Sequence, residues 1–156
     1  MTTSQYFRKL LNLSDSEKEY QDSDLENSIM KIISDNTGSF INLAALFEKA
    51  EESREEEVIN IEIINQMANT LGLLFINQKV GAGNVCFANS QDLRPEFKQS
   101  FTLTDVLDYS AAVLHTKIYH RANKDMDFVK IPFPKDAAFF WKLVQSGSNW
   151  RNKENL

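Results

Sequence analysis

The chain has 156 residues, 42% of them hydrophobic and 11% aromatic, which is enough apolar material to close a core without staples. Its net charge of −5 argues against a protein that coats nucleic acid through overall basicity, its single cysteine excludes an internal disulfide, and no apolar run reaches membrane-spanning length. The charge is uneven: residues 1–60 carry 6 Lys/Arg against 13 Asp/Glu, whereas residues 115–156 carry 8 against 4.

At the N-terminus, Tyr6, Phe7, Leu10 and Leu11 have the spacing of a short amphipathic helix, followed by a polar loop, SDSEKEYQDSD. Ser23 and Glu26 form a capping-box pattern for a second helix that repeats Leu25, Ile29, Ile32 and Ile33 and stops near Asn36 and Gly38. Ser39 is placed to cap a third helix that buries Phe40, Leu43, Ala44 and Phe47. Residues 48–58, EKAEESREEEV, hold six glutamates and no apolar face, so a boundary is expected here between an acidic helical segment, 1–57, and a second domain, 58–156.

Asn60 is a suitable N-cap for a helix whose stripe is Ile63, Ile64, Met67, Ala68 and Leu71, with Gly72 at the left-handed stop position. The apolar runs LLFI and VCFA flank NQKVGAGN, which predicts a β-hairpin; Cys86 within VCFA reads as a small buried hydrophobe. Gly81 and Gly83 lack the lysine and following helix of a phosphate loop. Thr102 and Asp105 form a second capping box, stapled by Phe101 and Val106, ahead of a helix with Val106, Leu107, Ser110, Val113 and Leu114 on one stripe. Its small residues Ser110, Ala111 and Ala112 admit a close helix neighbour, so this is the expected central element. Pro132 and Pro134 make IPFP a stiff extended hinge, after which Asp136 caps a helix that turns Phe139, Phe140, Leu143 and Val144 inward and stops at Gly147. The expected class is mainly α with a small β-hairpin (α+β) and a helical bundle-like core.

No catalytic chemistry is legible. His115 and His120 are separated by about 140° around a helix and do not share a zinc-binding face, and no metal or cofactor motif is present. Ser110, Asp108 and His115 lack a nucleophile elbow or oxyanion signature, and there is no Asn-Pro-Pro-Tyr sequence of the kind that holds a flipped adenine. One cationic and aromatic cluster stands out: Lys117, Tyr119, His120, Arg121 and Lys124, extended by Lys130 and Lys135 around the hinge. It reads either as cations complementing a helix C-terminus or as a DNA-binding set, with Lys and Arg on phosphates and Tyr119 or His120 stacking or donating.

Taken together, NIEIINQMANTLGLLFINQK (60–79), FTLTDVLDYSAAVLHTKIYHR (101–121), VKIPFPKD (129–136) and FFWKLVQSG (139–147) resemble the C-terminal specificity region of type ISP restriction-modification enzymes and related adenine-specific DNA methyltransferases. The resemblance rests on Asp108, Tyr109, Ala112 to His115, Tyr119, Ile131 to Pro134, Trp141, Leu143 and Val144, and covers roughly residues 58–147. It implies a target-recognition module that contacts double-stranded DNA beside a methyltransferase or restriction subunit; the missing catalytic and cofactor motifs make the expected module non-catalytic and cofactor-free, and the single cysteine with no leader pattern points to the cytoplasm. Lys130 stands where the family hinge begins with arginine; lysine keeps the charge without the bidentate fork that reads guanine. The alternative reading, from the acidic run, is a protein-interaction module that docks on a basic or DNA-binding partner.

Overall fold

A computed structural model describes residues 3–11, 27, 40–48, 58–76, 99–115, 130–134 and 136–153. In chain order the elements are helix α1 (Thr3–Leu11), strands β1 (Phe40–Asn42), β2 (Phe47–Glu48) and β3 (Val58–Ile59), helix α2 (Ile61–Leu71), strands β4 (Leu74–Phe75) and β5 (Ser100–Phe101), helix α3 (Leu103–Leu114), strand β6 (Lys130–Pro132) and helix α4 (Ala137–Lys153). Among the described residues the architecture is mostly helical with three small two-stranded sheets.

Local sequence chemistry sets most of the helix boundaries. Asn60 Oδ1 accepts from Glu62 N at 3.2 Å to start α2, and Gly72 ends it at φ 67°, a conformation that costs a side chain with a Cβ about 1–2 kcal/mol. At α3 the capping box is reciprocal: Asp105 N donates to Thr102 Oγ1 at 3.3 Å, and Thr102 N donates to Asp105 Oδ2 at 2.8 Å. Asp136 Oδ1 accepts from Phe139 N at 2.8 Å and begins α4.

The core is centred on α3, which is buried on every side from Val106 to Leu114 and packs most extensively against α4. Phe140 lies at its aromatic centre, 5.5 Å from Tyr109, 5.9 Å from Phe101 and 5.0 Å from Trp141 between ring centroids. Tyr6, Phe7 and Leu10 of α1 are buried in the same core, as are Ile41, Leu43 and Leu46. Residues on both sides of position 57 therefore share one apolar cluster, while residues 49–57 lie outside the described residues.

Three sequence expectations need correction or extension. The helix expected to bury Phe40, Leu43, Ala44 and Phe47 is instead strand β1, a tight 3-10 turn at Leu43–Ala45, and strand β2. Here Asn42 Oδ1 accepts from Ala44 N at 3.2 Å and closes the turn early. Long-range pairing fixes the flanks: β1 runs antiparallel to β6, with Ile41 opposite Ile131, and β2 antiparallel to β3. The LLFI run supplies β4, but its partner among the described residues is β5, in parallel, rather than VCFA, which lies outside them. Gly147 does not end a helix, because α4 continues to Lys153. Its role is steric: a Cβ there would stand 1.8 Å from the Asp108 carbonyl oxygen and 2.5 Å from its carbon.

The expected helix at residues 25–33, with its Ser23 and Glu26 cap, falls outside the described residues except for helical Asn27. Replacing Gly147 by alanine is expected to destabilise the protein by about 3 kcal/mol, because the added Cβ overpacks against the Asp108 backbone. Gly72→Ala, with open space around it, is expected to cost only about 1–2 kcal/mol. Urea denaturation of both variants checks the contrast.

Candidate functional site

The Asp-Tyr pair near the middle of α3 organises the most polar part of the core. Successive helical residues diverge by about 100°, so Asp108 and Tyr109 address different neighbours. Asp108 faces α1 and the end of α4. Its Oδ1 accepts from Tyr6 Oη at 2.7 Å and from Arg151 Nε at 2.9 Å, and its Oδ2 accepts from Arg151 Nη2 at 3.2 Å. This is the side-on fork that a guanidinium offers a carboxylate. Tyr109 turns the other way and donates its hydroxyl to the Pro132 carbonyl at 2.7 Å, tying β6 to α3.

The electrostatics follow from burial. The Asp108 side chain is 2% exposed, and desolvation pushes its carboxyl above the ordinary range, while the hydrogen bonds from Arg151 and Tyr6 pull in the opposite direction. Burial alone would lower Arg151, yet its bond to Asp108 more than compensates and the guanidinium stays firmly protonated. Burial also raises both phenols, so Tyr6 and Tyr109 remain protonated and act as donors. Next to this network, the Trp150 ring lies 6.3 Å from Tyr6 and 4.4 Å from His115, with Lys9 Nζ 5.9 Å from its centroid.

His115 closes α3 as its C-cap residue, its N–H bonded to the Ala111 carbonyl at 3.1 Å. The Ser110, Asp108 and His115 set does not act as a triad: Ser110 Oγ donates to the Val106 carbonyl at 2.8 Å, and Asp108 is engaged by Tyr6 and Arg151. Among the described residues no group of His, Cys, Asp and Glu is arranged to hold a metal, and no helix is long and apolar enough to cross a membrane.

Of the residues singled out in the sequence, Pro132 and Pro134 are both buried, and Pro132 ends β6 opposite Phe40 in the β1–β6 pair. Lys130 begins β6 opposite Asn42. Lys117, Tyr119, His120, Arg121, Lys124 and Lys135 lie outside the described residues. The two anchors of that cationic segment are nonetheless fixed: it leaves α3 after His115, against Trp150, and returns at β6, under the Tyr109 hydroxyl.

Sequence reasoning missed Tyr6, Trp150 and Arg151 as partners. The available signal was Asp108 itself, a carboxylate within the apolar run VLDYSAAVL that must find donors if it is buried.

The fold and this site define a helix-pair brace that fixes a proline strand and both ends of a cationic segment. The chain belongs to the type ISP C-terminal specificity domain family, whose match covers residues 19–152. A specificity domain is the part of a restriction-modification enzyme that recognises the DNA target. The match begins well before residue 58, where the motif resemblance begins, and so takes in the acidic run and the β1 and β2 strands. No curated protein and no solved structure matches the chain.

Removing Arg151 leaves a buried carboxylate with only a phenol donor. Arg151→Met is expected to destabilise the fold by about 3 kcal/mol. Tyr109→Phe, which strands the Pro132 carbonyl, is expected to cost about 1–3 kcal/mol. Both values are read from chemical denaturation at neutral pH.

Proposed function

We propose that the chain is a non-catalytic, cytoplasmic target-recognition module that binds double-stranded DNA alongside a methyltransferase or restriction subunit. Lys117, Arg121, Lys124, Lys130 and Lys135 contact backbone phosphates, and Tyr119 and His120 stack on or donate to the nucleic acid. The observation that carries this reading is the family match over residues 19–152, which spans the whole cationic cluster. The geometry around the cluster supports it. A segment that must present several cations to a rigid duplex benefits from anchors that do not shift, and both of its anchors are tied to α3.

The proline strand contributes stiffness at the returning anchor. Pro132 and Pro134 restrict the backbone beside Lys130 and Lys135, and pairing with β1 adds a second restraint. Lysine at position 130 favours phosphate contact over guanine readout, because an ammonium lacks the planar fork needed for two parallel bonds to one base. Base-edge contacts then fall to other residues of this module or to its companion subunit.

Fluorescence anisotropy with a duplex across a salt series tests the reading. Five phosphate contacts predict a slope of about −4.5 in log K against log salt, and the K130E/K135E double variant is expected to reduce its magnitude by about 2. A flat response at low salt would contradict the reading, and an unchanged slope in the variant would remove Lys130 and Lys135 from the DNA-binding surface.

A further inference from the structure

Helix α1 stands apart from the rest of the described core in one respect: it precedes residue 19, where the specificity-domain match begins. It nevertheless fills a made-to-measure seat. Tyr6, Phe7 and Leu10 are buried, whereas Thr3, Gln5 and Arg8 on its other face are exposed. Phe7 packs edge-on against Phe47 at 4.7 Å, Tyr6 reaches Asp108 on α3, and Trp150 on α4 lies beneath Tyr6 and Lys9. The seat is thus built from three elements of the matched domain, and α1 is its occupant.

We propose that α1 is a separable docking helix: the specificity domain carries a tyrosine-reading groove, formed by α3, α4 and β2, that binds the Tyr6-Phe7-x-x-Leu10 face as an independent ligand. Two features favour separability. Asp108 keeps the Arg151 fork when Tyr6 leaves, so the emptied groove retains a paired carboxylate instead of a bare charge. The elements that form the groove all lie within the specificity-domain match, which begins at residue 19, whereas α1 ends at Leu11 before it.

Docking has a direct route to the cationic segment. The Trp150 ring packs against both Tyr6 and His115, and His115 is the last described residue before that segment. Seating of α1 places Tyr6 against the same Trp150 ring that packs on the segment's first anchor. The effect on DNA rests on the function proposed above; the docking itself does not.

The test uses the full chain with a specific protease site placed in the polar stretch 14–21. The folded protein is cleaved, and a fluorescent peptide of residues 1–13 is added. The proposal expects the cleaved protein to keep its helical circular dichroism and to exchange its own α1 for the labelled peptide. Unlabelled Tyr6→Phe peptide is expected to compete about tenfold less well than the parent sequence, because it lacks the hydroxyl that reaches Asp108. Loss of helical signal on cleavage, or no incorporation of excess peptide, would show α1 to be an integral part of the core and overturn the proposal. Equal competition by the Tyr6→Phe peptide would overturn the tyrosine-reading groove. None of these readouts involves DNA, so a failure of DNA binding leaves them intact.

Discussion

Everything described in this protein depends on how closely α4 passes α3. At Gly147 the two backbones are near enough that no side chain fits between that residue and the Asp108 carbonyl. A helix that crosses at a glycine gains contact along the whole ridge on either side of it. Here that ridge is Phe140, Leu143 and Val144 before the glycine and Trp150 and Arg151 after it, all spaced three, four or seven residues from Gly147. The same approach brings Arg151 within reach of the Asp108 carboxylate. Packing and polar satisfaction are consequences of one steric fact.

The Asp-Tyr pair then distributes that fixed geometry to the periphery. A buried ion pair is a poor source of net stability, since desolvation offsets most of its Coulomb energy. What it supplies is a single acceptable arrangement of α3 against α4, because the fork on Asp108 forms only when α4 brings Arg151 to it. Tyr109 does the same for β6 through one carbonyl. A recognition module needs this kind of uniqueness more than it needs extra stability, since a surface that wanders cannot discriminate between DNA sequences.

The four described helices were largely legible in the sequence because their signals are local: Asn60 and Gly72, Thr102 with Asp105, Asp136, and the stripe at Tyr6, Phe7 and Leu10. Errors arose where one letter has two physical uses or where the deciding partner is distant. Glycine both permits positive φ and removes a Cβ, and Gly147 serves the second purpose while reading like the first. The spacing at Phe40, Leu43, Ala44 and Phe47 fits a helix, but β1 is settled by a strand far along the chain. Asp108 meets Tyr6 across 102 residues and Arg151 across 43, separations that no periodicity encodes. The cationic cluster is read from charge and aromatic composition alone and, Lys130 apart, lies outside the described residues; the structure supplies the elements that precede and follow it.

Hydrogen exchange with and without duplex DNA tests most directly whether the cationic segment beside the helical brace is the one proposed to face DNA. The prediction is that DNA slows exchange across residues 116–135 while the buried amides of α3 and α4 keep their rates, because the brace is already formed before DNA arrives. Unchanged exchange across residues 116–135 in the presence of bound duplex would contradict the account and move recognition to another face of the domain.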